Sequence, residues 1–392
     1  MQYDFDTLID RKHNHAAKYD EMEAKFGTRD LLPLWVADMD FPASQPVLDA
    51  IYAKADQRVF GYTTRPDSYF EAFAQWQEKR HGWTADPALM SHCHGVVPAL
   101  STCVYEFTKP GGSVLVQTPV YAEFFDVIEA WDRTILKSPL REDPEKGYVI
   151  DFEDFEEKLK QHPGLFIFCN PHNPVGRVWT REEILRVTEL CHRYGVRVVS
   201  DEIHGDLVWK GHTHVPTASV SDTAARITIT CTAASKTFNL AGLQSATIIH
   251  PDLETKSKFE KFWSGLDLRR NNCFSVVAME AAMREGEDWL DQLLVYLEDN
   301  IDYICNYIHS RIPQIKVRKP EATYLLWLDC RALGLSPEEL GAFMVRKAGL
   351  ALNAGEVYDP GLHGFMRLNA ACPRFVLEKA MAQLETAVAG LE

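Results

Sequence analysis

Residues 165–204 read LFIFCNPHNPVGRVWTREEILRVTELCHRYGVRVVSDEIH. The segment begins with the apolar run Leu165-Phe-Ile-Phe-Cys169 and ends with Val196-Arg-Val-Val-Ser200, both strand-like. Between them lies Thr180-Arg-Glu-Glu183, in which a hydroxyl and a carboxylate three residues on can satisfy each other's free backbone N–H groups. This spacing predicts a helix through Ile184, Leu185 and Leu190 that stops at Gly195. Strand, helix and strand at this distance predict an α/β fold with a mainly parallel sheet.

Working outward, further strands are expected at Val114–Val116, Thr134–Leu136, Ile227–Thr230 and Ala246–Ile249. Residues 46–287 therefore read as a large domain with a mainly parallel central sheet flanked by helices. Residues 288–311 have the apolar spacing of one long amphipathic helix, which leads into a smaller α+β C-terminal domain over 288–392. Residues 1–45 are rich in charge and aromatics with little periodicity, and read as an N-terminal arm or part of the small domain.

The chain has 392 residues, 46% hydrophobic and 25% charged, a globular composition. Its net charge of −15 disfavours nucleic acid and anionic membrane as partners. Nine scattered cysteines with no CxxC pair point to reduced, buried thiols in a cytoplasmic protein. No signal peptide and no membrane span is expected.

Ligands bind open α/β sheets outside the carboxyl ends of the strands. Here those ends carry Asn170-Pro-His-Asn-Pro174, Ser200-Asp-Glu-Ile-His204 and Ser235-Lys236. Upstream, His94-Gly-Val-Val-Pro98 puts glycine and proline at a helix start, where free N–H groups attract an anion. Lys236 sits in Thr232-Ala-Ala-Ser-Lys-Thr-Phe-Asn-Leu-Ala-Gly242, whose small residues allow a ligand to approach the backbone closely. Each piece alone has a bland reading: a turn, a helix cap, a surface lysine. Their combination and order do not.

This constellation resembles the fold-type I pyridoxal-phosphate enzymes of the class I/II aminotransferase superfamily. Within it, the chain is similar to the MalY/PatB group of cystathionine β-lyases, or C–S lyases. That narrower likeness is carried by Leu32-Pro-Leu-Trp-Val-Ala-Asp-Met-Asp-Phe-Pro42, Phe60-Gly-Tyr-Thr63, Gly95-Val-Val-Pro98, Asp201-Glu-Ile-His204 and Ser235-Lys-Thr-Phe-Asn-Leu-Ala-Gly242.

The resemblance implies pyridoxal 5'-phosphate as cofactor and Lys236 as its covalent anchor, which also moves the proton at the substrate Cα. Asp201 would face the pyridine nitrogen, Asn173 and His204 the ring hydroxyl, and Tyr121 would stack on the ring. The backbone of Gly95, Val96 and Val97 and the Ser235 hydroxyl would hold the phosphate, with Tyr62 reaching over from the second subunit of a homodimer. Arg367 would pair with the substrate carboxylate, in the bidentate way open to a guanidinium. Two positions depart from the superfamily pattern: Gln244 replaces a phosphate-binding arginine, and Ala233 a hydroxyl residue.

The implied reaction is β-elimination, taking L-cystathionine to homocysteine, pyruvate and ammonia. Transamination shares the first proton removal and the same residues, so it is the alternative; a lyase with an added regulatory protein-binding role is a further one. The arm motif Asn14-His-Ala-Ala-Lys-Tyr-Asp20 departs from its relatives, which leaves substrate preference open. Ser91-His-Cys-His94 and His212-Thr-His214 offer alternating histidines to a metal, but no third ligand falls at a fitting spacing, and no metal site is expected.

Overall fold

A computed structural model describes residues 1–391. Its centre is a seven-stranded sheet in the order Met90–Cys93, Ala246–Ile249, Thr228–Thr232, Arg197–Asp201, Leu165–Cys169, Ser113–Val116 and Thr134–Lys137. The last five strands run parallel. Ala246–Ile249 is antiparallel to both of its neighbours, so the sheet is mixed at one side.

The helix between the two decisive strands spans Arg181–Arg193. The Thr180 hydroxyl accepts from Glu183 N–H, and the Glu183 carboxylate accepts from Thr180 N–H, closing the capping box. Ile184, Val187, Leu190 and Cys191 form its buried stripe, packed with Phe166, Phe168 and Val198 of the sheet. Gly195 turns the chain at φ +69°, a conformation glycine adopts without a Cβ penalty.

Two strand boundaries move from the sequence expectation. Ile227 ends the helix Asp222–Ile227, capped by the Ser221 hydroxyl, and the strand begins at Thr228. The strand expected from Val196 begins at Arg197, because Val196 still bonds back to Cys191. The edge strand Met90–Cys93 carries too little apolar periodicity to be read as a strand from sequence.

A second sheet is four-stranded and antiparallel: Lys316–Val317, Leu325–Asp329, Phe365–Asn369 and Asn353–Ala354. The helices Glu287–Arg311 and Arg374–Ala389 pack beside it. The N-terminal stretch folds into helices Ala17–Asp20 and Met22–Phe26, then pairs Leu32–Pro33 in parallel with Leu350–Ala351. One apolar cluster runs from Phe5 through Trp76 and Trp289 to Leu384, so the arm, the long helix and the C-terminal sheet share a core.

Eight of the nine cysteines are buried, and Cys273 is half-buried. Among the described residues, no helix is long and apolar enough to cross a membrane.

Candidate active site

The carboxyl ends of the parallel strands open onto a cavity of about 210 Å³. It is lined by Gly95, Val96, Val97, Tyr121, Asn173, Asp201, His204, Ser235 and Lys236, nine residues singled out from the sequence. Arg367 reaches this group through Asn173, whose Oδ1 accepts from Arg367 Nη1 at 3.3 Å. Tyr62 stands apart: it is 95% exposed and lies under the Arg270 guanidinium, 5.1 Å from its ring centre.

Lys236 lies in the short helix Ala234–Thr237, one turn beyond the strand Thr228–Thr232. Its ammonium donates to the Ala37 carbonyl at 2.6 Å. Burial, then the nearby positive charge of Arg367, lowers its pKa to about 8. A lysine in this range is available both as a nucleophile and as a proton carrier.

Asp201 closes the strand Arg197–Asp201 and accepts one hydrogen bond, from Ile203 N–H at 3.1 Å. Burial raises its carboxyl to about 7. That value belongs to a carboxylate without a cation against it; a positively charged nitrogen facing it would return it to the ionised form. His204 is pushed down to about 3, first by burial and then by Lys236 and Arg367, so its ring is neutral, and its Nδ1 has no partner.

At the other end of the cavity, Gly95 caps the helix Val96–Phe107. The first helical bond runs from Ala99 N–H to Gly95 C=O, which leaves the amides at 95–97 ahead of it as anion donors. A Cβ on Gly95 would stand 3.3 Å from Pro98 Cδ, so glycine keeps this cradle open. Gln244 and Ser245 line the same end.

A largely buried polar network backs the elements that carry Lys236 and Asp201. Thr237, next to Lys236, donates to Asp206 at 2.7 Å, and Asp206 also accepts from Trp76 at 3.0 Å and pairs with His81 at 2.9 Å. Glu202, next to Asp201, pairs with His214 and accepts from Ser200.

Of the four histidines in the two alternating pairs, His92 bonds Asn271, His94 the Leu268 carbonyl and His214 Glu202. Among the described residues, no group of three metal-ligating side chains gathers.

A family model described as aminotransferase class I and II matches residues 29–384. The chain belongs to that family. It is 45% identical to cystathionine beta-lyase PatB of Bacillus subtilis, over 98% of this chain and 99% of PatB. Protein MalY of Escherichia coli is 33% identical over 98% of this chain and 99% of MalY. Among solved structures, cystalysin from Treponema denticola, which contains a pyridoxal 5'-phosphate cofactor, superposes with a TM-score of 0.97 at 33% identity, covering 100% of both chains. The fold is therefore fold-type I.

Several contributors to the cavity were missed by sequence reasoning. The carbonyls of Trp35 and Ala37 receive Arg367 and Lys236 respectively, and a carbonyl leaves no mark in a sequence. Tyr324 donates to the same Ala37 carbonyl at 2.9 Å and meets the His204 ring edge-on. Asn369 fastens the arm by donating to the Val36 and Asp38 carbonyls. Lys18 of the departing arm motif is fully buried against Asp40 at 2.7 Å, a structural pairing outside the cavity.

Proposed function

We propose that this protein is a pyridoxal-phosphate-dependent carbon–sulfur lyase of the cystathionine β-lyase type. The observation that carries the proposal is the meeting of Lys236 and buried Asp201 at one cavity beside an open helix N-terminus, with Arg367 joined to it through Asn173. The choice of a sulfur amino acid as substrate rests on the likeness to PatB.

The residues present fit the cofactor. The amides at 95–97 and the Ser235 hydroxyl suit its phosphate, supported by neutral Gln244 in place of an arginine. The unpartnered carboxylate edge of Asp201 suits a protonated ring nitrogen, and Asn173 with neutral His204 suits a ring hydroxyl. Tyr121 supplies a face for the ring. Bound there, pyridoxal 5'-phosphate supplies an aldehyde that captures the amino group and a ring that accepts electrons from Cα.

Arg367 orients the substrate by its carboxylate. Its own position is fixed by Trp35 C=O, which accepts from Nη2 at 2.8 Å, and by the Tyr358 ring beneath its guanidinium. Lys236, with its pKa near 8, takes the Cα proton and can return it to a leaving thiolate. The arm covers the cavity at Ala37, which limits the access of water.

Tyr62 lies outside the cavity of its own chain, and its exposure supports a homodimer in which it reaches the partner's phosphate site. Residues 46–287 and 288–392, with 1–45 as an arm, remain the proposed domain division. Each proposed domain holds its own sheet. A cytoplasmic setting accords with the unpaired thiols.

The test is turnover of L-cystathionine by the holoenzyme without any keto acid. Continuous release of pyruvate and free thiol supports the lyase. Conversion that stops after one equivalent per site, with no pyruvate, replaces it with an aminotransferase.

A further inference from the structure

A second cavity, of about 360 Å³, lies between the β-hairpin 141–149 and the four-stranded sheet. It shares no lining residue with the active-site cavity, and its volume is in the range of small-molecule sites. Its base is aromatic. The buried Trp327 and Phe365 rings stack with centres 5.2 Å apart and planes 10° from parallel. Tyr148 of the hairpin stands beside them, its hydroxyl accepting from Trp327 Nε1 at 3.3 Å. Rings set this way suit a further flat ring packed against them.

The charges on the wall are unevenly matched. Each carboxylate is already engaged: Glu142 and Asp329 pair with Arg331, and Glu321 pairs with Arg177. Asp143 accepts from the amides of its own turn, those of Glu145 and Lys146. Three cations on the wall have no carboxylate within ion-pair distance. Arg318 donates to the Pro144 and Glu145 carbonyls, which are neutral. Among the described residues, the Lys146 and Lys316 ammonium groups have no hydrogen-bond or ion-pair partner. The Tyr148 hydroxyl accepts from Trp327 but its own hydrogen is unused. The free functions here are therefore donors and cations, in a chain whose net charge is −15.

We infer that this cavity is a second ligand site, which takes an aromatic acid: a flat ring carrying a carboxylate. The ring packs on the Trp327, Phe365 and Tyr148 base, and the carboxylate faces Lys146, Lys316 and the Tyr148 hydroxyl. An amine or a zwitterion suits the site less well, because it meets only carboxylates that are already paired. The site lies behind the substrate grip and outside the reaction. Trp327 stands opposite Arg367 in the strand ladder, and the Tyr358 ring lies 5.4 Å from the Trp327 ring and 5.1 Å from the Arg367 guanidinium. The inference does not depend on which amino acid the active site consumes.

The test titrates the holoenzyme with indole-3-acetate and with its neutral amide, indole-3-acetamide, by calorimetry. The same titrations are run on a Lys146→Gln, Lys316→Gln double variant, in which both changes fall on exposed side chains. The acid is expected to bind the unaltered protein about tenfold more tightly than the amide, the worth of two solvent-facing charges. In the double variant that preference disappears. Because the readout is a ratio of two affinities in one protein, a loss of folding does not imitate it. A preference of equal size in both proteins means that the acid is held elsewhere, as at Arg367, and overturns the site. Failure of the acid to bind the unaltered protein at millimolar concentration, or binding no tighter than the amide, overturns it as well.

Discussion

The Lys236 ammonium donates to the carbonyl oxygen of Ala37 at 2.6 Å, across 199 residues of sequence. The contact makes the N-terminal arm a wall of the cavity, and it gives a largely desolvated cation a neutral acceptor. Protonation of Lys236 in the folded state is correspondingly costly, because burial and Arg367 bring its pKa from 10.5 to about 8. A base with a lowered folded pKa costs stability below that value, and the cost disappears as pH rises toward the unfolded pKa. In the cofactor-free protein, Lys236→Met is expected to gain up to about 3 kcal/mol at pH 7. The gain shrinks between pH 8 and pH 10. Urea unfolding at pH 7 and pH 10 measures it; a pH-independent difference contradicts the electrostatic cause.

Asp206 joins the Lys236 helix to the rest of the large domain through Thr237, Trp76 and His81. Burial alone would raise its carboxyl, but the bonds from His81, Thr237 and Trp76 outweigh that and lower it. Removing one member of a buried charged network strands its partners and costs about 3–5 kcal/mol. Asp206→Ala is expected to lose that much at neutral pH. A lowered carboxyl contributes stability above the ordinary carboxylate range and loses it as the group protonates, so the deficit narrows in acid. Thermal melts at neutral and acidic pH check both statements.

Gly176 follows the Asn173 turn at φ +71° and accepts from Glu321 and Ala322 N–H, linking this loop to the segment before the C-terminal sheet. A Cβ there would overlap Pro320, whose Cα lies at 3.1 Å. Gly176→Ala is expected to cost about 2–4 kcal/mol, the sum of a left-handed backbone penalty and overpacking. It should also weaken cofactor retention through Asn173. Equal stability of the two proteins by urea unfolding would remove the steric argument.

Tyr62→Phe deletes only a hydroxyl that is exposed in a single chain. If this hydroxyl serves the partner's phosphate site, the variant stays folded while its cofactor dissociation constant rises by about tenfold, roughly 1–1.5 kcal/mol for one hydrogen bond. Equilibrium dialysis against pyridoxal 5'-phosphate reads the constant directly. Unchanged affinity removes Tyr62 from the site.

The legible parts of this protein were those written in local patterns. The capping box at Thr180, the apolar runs at Leu165 and Arg197, and the Gly95 helix start each declare themselves within a few residues. The strand Met90–Cys93 was hidden because its residues are mostly polar or sulfur-bearing, although every one is buried. The short strands Leu32–Pro33 and Leu350–Ala351 exist only by pairing with each other. The same holds at the site: Lys236, Asp201 and Arg367 are visible as residue types. The carbonyls of Trp35 and Ala37 that receive two of them become visible only once the arm is folded.

The most direct test of the account is to find where the cofactor is attached. Holoenzyme reduced with borohydride, digested and analysed by mass spectrometry should carry the reduced pyridoxyl phosphate on the peptide containing Lys236, at close to one per chain. Attachment at another lysine, or none, would contradict the assignment of this cavity as the active site.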